Sequence, residues 1–208
     1  MLLYPNQKWY VFMETDTYLF WSTTIKYLSA LDSTKPVCIG HRSTVKSDYP
    51  FAHGGSGYMF SNSGLRMVVD YYRSHRREMD EFVAAEWAGD IALGMVLETV
   101  GLPITPAWPI YQPHHFGILD FSLVYQEKRF WCYPSGSFHH MTPETVRDMW
   151  EFEQEWIAWA NPVCTAKVYS LKVLTNDLFL TGPRSRNLHA PQRCLQWLHH
   201  APDALPAI

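Results

Sequence analysis

Two carboxylates stand close together near the start of the chain, in the segment Glu14-Thr15-Asp16-Thr17. They directly follow a short apolar run, Lys8 to Met13, which has the composition of a buried strand. Because open α/β sheets bind ligands at the carboxyl ends of their strands, this position favours a binding site. Oxygen ligands in a turn suit Mn²⁺ or Mg²⁺ holding a diphosphate. An Asx turn with Asp16 as a helix N-cap explains the same residues without a metal.

A pair of histidines, His139-His140, offers the nitrogen ligands that such a site could use. The pair lies between an apolar run and a helix start at Thr142-Pro143. Imidazole suits Mn²⁺ and could complete a carboxylate site, although partly exposed loop histidines without a ligand account better for such a pair taken alone. A second pair, His114-His115, has the same ambiguity. A metal-dependent hydrolase that uses both pairs is therefore one alternative.

A glycine-rich segment and a later aspartate complete the candidate chemistry. Gly54-Gly55-Ser56-Gly57 allows a ligand to approach the backbone closely, but it lacks the Lys-Ser/Thr ending of a phosphate-binding P-loop and could be a bulged turn. Asp90 follows Gly89 at a predicted helix start. A carboxylate there could act as a general base, worth ~10²–10⁴ in rate, or simply cap the helix.

Strand and helix signals alternate along the chain, which predicts an α/β domain. The expected strands are Lys8 to Met13, Val37 to Ile39 and Phe130 to Tyr133. Helices are expected over Thr17 to Leu31 and over Glu81 to Val100, the latter with a break near Gly89. Two more are expected to start at Ser61 or Asn62 and at Pro143. In the tail we expect a strand over Ala166 to Leu174 and a short helix over Cys194 to Leu198.

Three of these elements carry more specific predictions. The run from Lys8 to Met13 is expected to be buried on both faces, as in a parallel sheet. The first helix is expected to pack on a sheet through one face, formed by Tyr18, Trp21, Ile25 and Leu28. The segment Leu102 to Phe116 contains four prolines and is expected to be a loop.

Composition excludes several classes of protein. Of 208 residues, 47% are hydrophobic and 18% charged, which is too apolar for a disordered chain, and a net charge of -3 gives no basic footprint for nucleic acid. The sequence shows no signal peptide and no apolar run of about 18 residues. The four cysteines form no CxxC pair, so a zinc ribbon is excluded; buried thiols or disulfides both remain possible.

Four segments in this order resemble the C-terminal portion of glycosyltransferase family 31. They are WYVFMETDTYLFW, FAHGGSGYMFS, EWAGDIALGMVLETVG and SGSFHHMTPETV. The resemblance covers roughly residues 7 to 158 and is greatest to the fringe and core 1 β1,3-galactosyltransferase branch, especially its fungal members. It implies an α/β fold, namely a partial GT-A-like (Rossmann-like) nucleotide-sugar transferase domain that lacks its N-terminal half.

The resemblance also implies roles for individual residues. Glu14 and Asp16 match the DxD metal motif, with Glu14 where the family usually has Asp, and His139 matches a distal metal-ligand histidine. Asp90 matches the acidic residue taken as the catalytic base. The residues expected to bind donor or acceptor are Gly54, Gly55, Gly57, Tyr58 and Trp87. The implied cofactor is Mn²⁺ or Mg²⁺, with a UDP-sugar as donor substrate.

The activity implied is inverting transfer of a hexose, of galactose type, to a hydroxyl of a glycan or glycoprotein in a β1,3 linkage. We expect residues 1–160 to form the transferase domain of a truncated form and residues 161–208 a C-terminal extension. The family works on the lumenal side of the Golgi membrane through an anchor that this sequence does not show. Because the donor half is expected to be missing, we also expect weak UDP binding. A non-catalytic carbohydrate-binding fragment or pseudoenzyme of the same fold is the alternative.

Overall fold

A computed structural model describes residues 3–120, 123–125, 128–130 and 133–159 of the chain. The strands are β1 (Trp9–Phe12), β2 (Tyr18–Leu19), β3 (Cys38–Gly40), β4 (Arg42–Ser43), β5 (Phe51–Ala52), β6 (Tyr58–Ser61), β7 (Ile104–Pro106), β8 (Val124–Tyr125), β9 (Lys128–Arg129) and β10 (Ser137–Phe138). The helices are α1 (Trp21–Ser29), α2 (Asn62–Ser74), α3 (Arg76–Ala85), α4 (Gly89–Thr99) and α5 (Pro143–Trp159). The predicted α/β class is therefore confirmed as a mixed α/β structure.

A four-stranded mixed sheet, in the order β1-β6-β3-β7, organises the described residues. β6 pairs antiparallel with β1 and β3, and only β3 and β7 run parallel. The prediction that the first strand lies buried in a parallel sheet is wrong. β1 is an edge strand of this sheet and is only half-buried, with Phe12 38% exposed. The composition of a short apolar run does not specify which strand it pairs with. Here the partner is β6, which follows the glycine-rich segment in the chain.

The first helix begins later than predicted and buries only part of the predicted face. Tyr18 and Leu19 belong to β2, which pairs antiparallel with β10, and α1 buries Thr24, Tyr27 and Leu28. Trp21 and Ile25 are 53% and 62% exposed. Of the predicted face, Tyr18 and Leu28 are buried as expected. A hydrophobic pattern could not indicate the burial of Thr24, whose hydroxyl accepts a hydrogen bond from Tyr111.

The other predicted helices are found close to their expected places. Ser61 caps α2, since its side chain accepts a hydrogen bond from the backbone N–H of Gly64. Thr142 does the same for α5, where its hydroxyl accepts from the N–H of Thr145. The predicted segment Glu81 to Val100 divides into the end of α3 and all of α4, which begins at Gly89.

The remaining expectations meet three different outcomes. The proline-rich segment contains β7, which the sequence analysis missed, and this strand extends the sheet beside β3. Phe130 lies in a single helical turn rather than a strand, while Trp131 and Cys132 lie outside the described residues. The strand predicted over 166–174, the helix over 194–198 and the extension over 161–208 also lie outside them.

Helix α4 packs closely against β5, which leads into the glycine-rich turn. A Cβ at Gly94 would lie 2.6 Å from the carbonyl oxygen of Pro50 and 2.8 Å from Cβ of Phe51, so only glycine allows this approach. Cys38, in β3, is a fully buried free thiol whose pKa is raised by burial. None of the described helices has both the length and the apolar character needed to span a membrane.

Candidate functional site

His139 lies between the two acidic side chains of the first candidate motif. Its Nε2 atom is 3.2 Å from Oε2 of Glu14 and 3.2 Å from Oδ1 of Asp16. The imidazole is buried, with its side chain 8% exposed, whereas the carboxylates are 53% and 43% exposed. Residues separated by more than 120 positions in the sequence therefore converge at one nitrogen atom.

Backbone contacts hold this cluster in place. The Nδ1 atom of His139 lies 3.2 Å from the carbonyl oxygen of Pro113, which favours a tautomer with the proton on Nδ1 and a free lone pair on Nε2. The N–H of Met141 donates to the carbonyl of Asp16 at 2.9 Å. The hydroxyl of Thr17 donates to the carbonyl of Gly55 at 2.8 Å. The acidic turn, the histidine segment and the glycine-rich turn are thus joined.

His140, which the sequence analysis offered as part of the histidine pair but which the family resemblance left out of the metal site, joins the same cluster. Its backbone is left-handed, with a φ of 59°, and its ring stacks on that of His139 with centroids 3.8 Å apart. Nδ1 of His140 is 3.8 Å from Oδ2 of Asp16. One ligand atom each from Asp16, His139 and His140 lies within 4.8 Å of the others. Glu14 shares the His139 contact but lies outside that set of atoms.

These residues fit a divalent transition metal. Carboxylate oxygens together with imidazole nitrogens are a donor set that suits Mn²⁺, and two nitrogens favour it over Mg²⁺. The carbonyl of Pro113 supplies the outer hydrogen bond that ligating histidines usually have. Among the described residues, the side chains close enough together to hold a metal are those of Asp16, His139 and His140. His114 is not one of them; it lines the cleft and is exposed. This arrangement does not support the hydrolase alternative.

The glycine-rich turn connects the cluster to Asp90. Gly54 to Ser56 form a short 3₁₀ turn, and Gly57 follows with a φ of 75°. The N–H of Gly54 donates to Oδ2 of Asp90 at 3.1 Å. A Cβ at Gly55 would overlap three ring atoms of His139, so this position requires glycine.

Glu14, Asp90 and the glycine-rich turn line one cleft, with a volume of about 800 Å³, whereas Asp16 and His140 lie behind His139 and are not part of its lining. Glu14, His139, Gly54 and Asp90 all contribute to its walls. The predicted binding residues Tyr58 and Trp87 also line it, whereas Gly55 and Gly57 support it from the turn. Among the described residues, the lining contains no lysine or arginine.

Aromatic rings form part of the cleft wall. Phe12 and Tyr58 are stacked, with centroids 5.1 Å apart and planes 16° from parallel. Burial, with smaller contributions from Cys38, Asp90 and Glu14, raises the pKa of Tyr58 to about 12, so its phenol stays protonated. Trp87 is 67% exposed, and its indole N–H donates to the carbonyl of Lys46 at 3.4 Å. Flat apolar surfaces of this kind suit stacking against a sugar ring.

A match to a known family decides the classification. The family model described as Fringe-like matches residues 1–111, more than half of the 208 residues. The chain belongs to the Fringe-like family. This confirms the family predicted from the four sequence segments.

Curated relatives of this Fringe-like chain include the β-1,3-glucosyltransferases of Mus musculus and Homo sapiens. Each is 24% identical to it over 160 residues, which covers 74% of this chain and 28% of the relative. The Fringe-like chain therefore spans under a third of the length of these relatives.

Two further cleft residues of the Fringe-like chain were missed by the sequence analysis. His41 and His53 line the cleft beside the residues described above. They are 12 positions apart; His53 directly precedes the glycine-rich segment but received no role of its own, and His41 belongs to no motif. The one signal that could have found them is the strand–turn–strand pattern between Gly40 and Phe51, which places them opposite each other.

Proposed function

We propose that this chain carries the metal and acceptor sides of an inverting β1,3-glycosyltransferase domain with a GT-A-like fold. Its reaction would move a hexose from a UDP-sugar to a hydroxyl of a glycan or glycoprotein. One observation carries the proposal: His139 Nε2 lies 3.2 Å from carboxylate oxygens of both Glu14 and Asp16, in the cleft that Asp90 also lines. Membership of the Fringe-like family and the names of the curated relatives support it.

In the proposed reaction Asp90 is the general base. Its carboxylate takes the proton of the acceptor hydroxyl, whose oxygen forms a bond to the anomeric carbon as the bond from that carbon to UDP breaks. Attack opposite the leaving group inverts an α linkage to a β linkage. The hydrogen bond from the N–H of Gly54 fixes the orientation of Asp90, because it engages Oδ2 and leaves Oδ1 for the acceptor.

The metal side of the proposal rests on Asp16, His139, His140 and Glu14. A bound Mn²⁺ (or Mg²⁺) would supply Lewis-acid stabilisation of the charge on departing UDP. The described cleft lining has no lysine or arginine that could replace this charge. We therefore propose strict dependence on a divalent cation, and weak UDP binding by these 208 residues. Micromolar affinity for UDP with Mn²⁺ in calorimetry would contradict the second point.

For the protein as a whole we propose the setting that the resemblance implies. This is the lumenal side of the Golgi membrane, with glycoproteins or glycans as acceptors and a UDP-hexose as donor. Because the curated relatives are named glucosyltransferases, UDP-glucose should be tested as a donor as well as UDP-galactose.

The test is turnover of UDP-glucose and UDP-galactose with simple sugar acceptors, in the presence of Mn²⁺ and then of a chelator. Wild-type chain should release UDP only with metal. Asp90→Asn should bind Mn²⁺ normally but lose turnover by ~10²-fold or more. Asp16→Ala should lose both Mn²⁺ binding and turnover. Asp80→Asn, at an exposed position in α3, should keep Mn²⁺ binding and turnover at the wild-type level. Turnover that survives the chelator or Asp90→Asn would contradict the proposal.

A non-catalytic carbohydrate-binding fragment is the second candidate. It is favoured by the aromatic surfaces of Trp87, Phe12 and Tyr58 in the cleft. If it is right, glycan binding will persist in the chelator and in Asp90→Asn, and no UDP will be released.

A further inference from the structure

Two histidines in the cleft have buried nitrogen atoms without a hydrogen bond. Nδ1 of His41 and Nδ1 of His53 are the buried side-chain polar atoms that lack a partner among the residues the structure describes. Buried polar atoms are nearly always hydrogen-bonded, so each exception calls for an explanation. Both exceptions fall in one cleft, and neither residue has a role in the metal cluster or in the proposed base.

The backbone places these two side chains on one face of a strand pair. Arg42 in β4 lies opposite Ala52 in β5, and the N–H of His53 donates to the carbonyl of His41 at 2.9 Å, which extends the ladder by one pair. Residues directly opposite in an antiparallel pair share a face. Their rings lie edge to face with centroids 6.4 Å apart, and the ring of His53 is 5.5 Å from that of His139.

The histidine pair therefore begins next to the metal cluster and extends away from it along the cleft wall. Asp90 is close enough to His53 to act on it electrostatically, as is Glu14. Ser43, two residues after His41 in β4, lines the same wall. A ligand that presents a hydroxyl to Asp90 would thus lay its neighbouring atoms against the two imidazoles.

The charge state of the pair indicates which ligand atoms it suits. Burial, and then the neighbouring rings of His53 and His114, lower the pKa of His41 to about 4, so this ring is neutral near neutral pH. A neutral imidazole offers one donor and one acceptor, as a sugar hydroxyl does, and gives no charge to attract phosphate. Because no partner fixes Nδ1 of either ring, the tautomer is free to adapt to a hydroxyl.

We propose that His41 and His53 form a subsite that binds hydroxyl groups of a sugar, adjacent to the hydroxyl that Asp90 would deprotonate. The subsite determines which acceptor sugar the cleft accepts. The identity of that sugar as an acceptor rests on the proposed function, whereas hydroxyl binding by the pair does not. Phe12 and Tyr58, stacked on the same cleft, provide an apolar surface for one face of the ring.

The experiment measures binding of methyl glycosides of glucose, galactose, mannose and N-acetylglucosamine to the 208-residue chain by saturation-transfer NMR. Mn²⁺ binding is measured in parallel by electron paramagnetic resonance. His41→Phe and His53→Phe keep a ring of similar size but remove the nitrogens, and should each weaken binding of the preferred glycoside about tenfold. His41→Gln and His53→Gln restore an amide donor and acceptor and should recover part of the loss. His75→Phe, at an exposed histidine between α2 and α3, is the matched control.

The outcomes separate this inference from the proposed function. Glycoside binding that is equal in wild type and both Phe variants overturns the subsite, as does wild-type chain that binds Mn²⁺ but none of the glycosides. Glycoside binding that depends on the histidines without any Mn²⁺ binding supports the subsite and overturns the metal-dependent transferase. Loss of Mn²⁺ binding in His41→Phe would also count against the subsite, since that result indicates a structural role.

Discussion

The absence of a side chain at Gly55 determines whether His139 can point at the two acids. A Cβ at this position would overlap the His139 ring, so Gly55→Ala must displace the imidazole. We expect Mn²⁺ affinity to fall by roughly 10–100-fold, as when the support of a metal-ligating histidine is lost. Electron paramagnetic resonance titration measures this directly. Gly89→Ala is the control, because a Cβ there meets nothing within 4 Å; equal Mn²⁺ affinity in both variants would contradict the prediction.

His41 makes the stability of the fold depend on pH. The unfolded chain binds a proton at this residue near pH 6.5, but the folded chain does so only near 4, because the folded pKa is lowered to about 4. The unfolded state thus binds more protons between these values, and stability falls as the pH falls through this window. Between about pH 7.5 and about pH 5, the free energy of unfolding of wild type should fall. In His41→Phe that fall should be smaller by ~2 kcal/mol, because the residue that takes up the proton on unfolding is gone.

Urea unfolding of wild type and His41→Phe at both pH values measures this difference. The exposed His75→Phe variant should follow the wild-type pH dependence. An identical loss of stability in wild type and His41→Phe would show that His41 is not buried in its neutral form.

At the scale of elements, one buried carboxylate of α5 adds to the hydrophobic contacts that attach this helix to the rest of the fold. Glu153 is 7% exposed and accepts hydrogen bonds from the hydroxyls of Tyr18, at 2.6 Å, and Ser22, at 3.3 Å. Glu153→Ala removes the acceptor of both bonds and should lower the free energy of unfolding by about 1–3 kcal/mol. Chemical denaturation measures it. Glu151→Ala, on the exposed side of the same helix, should change stability by less than about 0.5 kcal/mol.

Elements whose signals are local were predictable from the sequence. α2 and α5 begin where Ser61 and Thr142 cap them, and capping depends only on residues within one turn. Elements defined by distant partners were not. β1 was assigned to a parallel sheet because its pairing with β6 is not encoded in its own composition, and β7 was hidden in a segment whose prolines indicated a loop.

At the scale of the whole molecule, metal binding should stabilise the fold. Asp16 and His139 come from opposite ends of the described chain, so a cation held by both joins segments that separate on unfolding. At a Mn²⁺ concentration one hundred times its dissociation constant, stability should rise by about 2.7 kcal/mol. Thermal unfolding with and without Mn²⁺ measures this shift. Asp16→Ala should show little of it, and an equal shift in that variant would place the metal elsewhere.

The candidate site was predictable only in part, for a related reason. Residue types placed Glu14, Asp16 and Asp90 at strand and helix ends. The choice of His139 over the rival pair His114-His115 came from resemblance to a family, because spacing in the sequence does not report distance in the fold. His140 was a candidate only as part of a pair, and the family resemblance left it out; its left-handed backbone, which places its Nδ1 3.8 Å from Oδ2 of Asp16, is not visible in the sequence. His41 and His53 were missed because their meeting depends on the register between β4 and β5, and the strand–turn–strand pattern that joins these strands was not identified.

The turn from Gly54 to Ser56 touches both sides of the cleft. Gly54 binds Asp90, and the carbonyl of Gly55 accepts from Thr17, which follows Asp16 directly. Any shift of this turn on metal loading is therefore transmitted to Asp90. Thermodynamic reciprocity then requires that, if Mn²⁺ tightens acceptor binding, the acceptor tightens Mn²⁺ binding by the same factor. Equilibrium titrations should accordingly show that a saturating concentration of either one lowers the Kd of the other by the same factor.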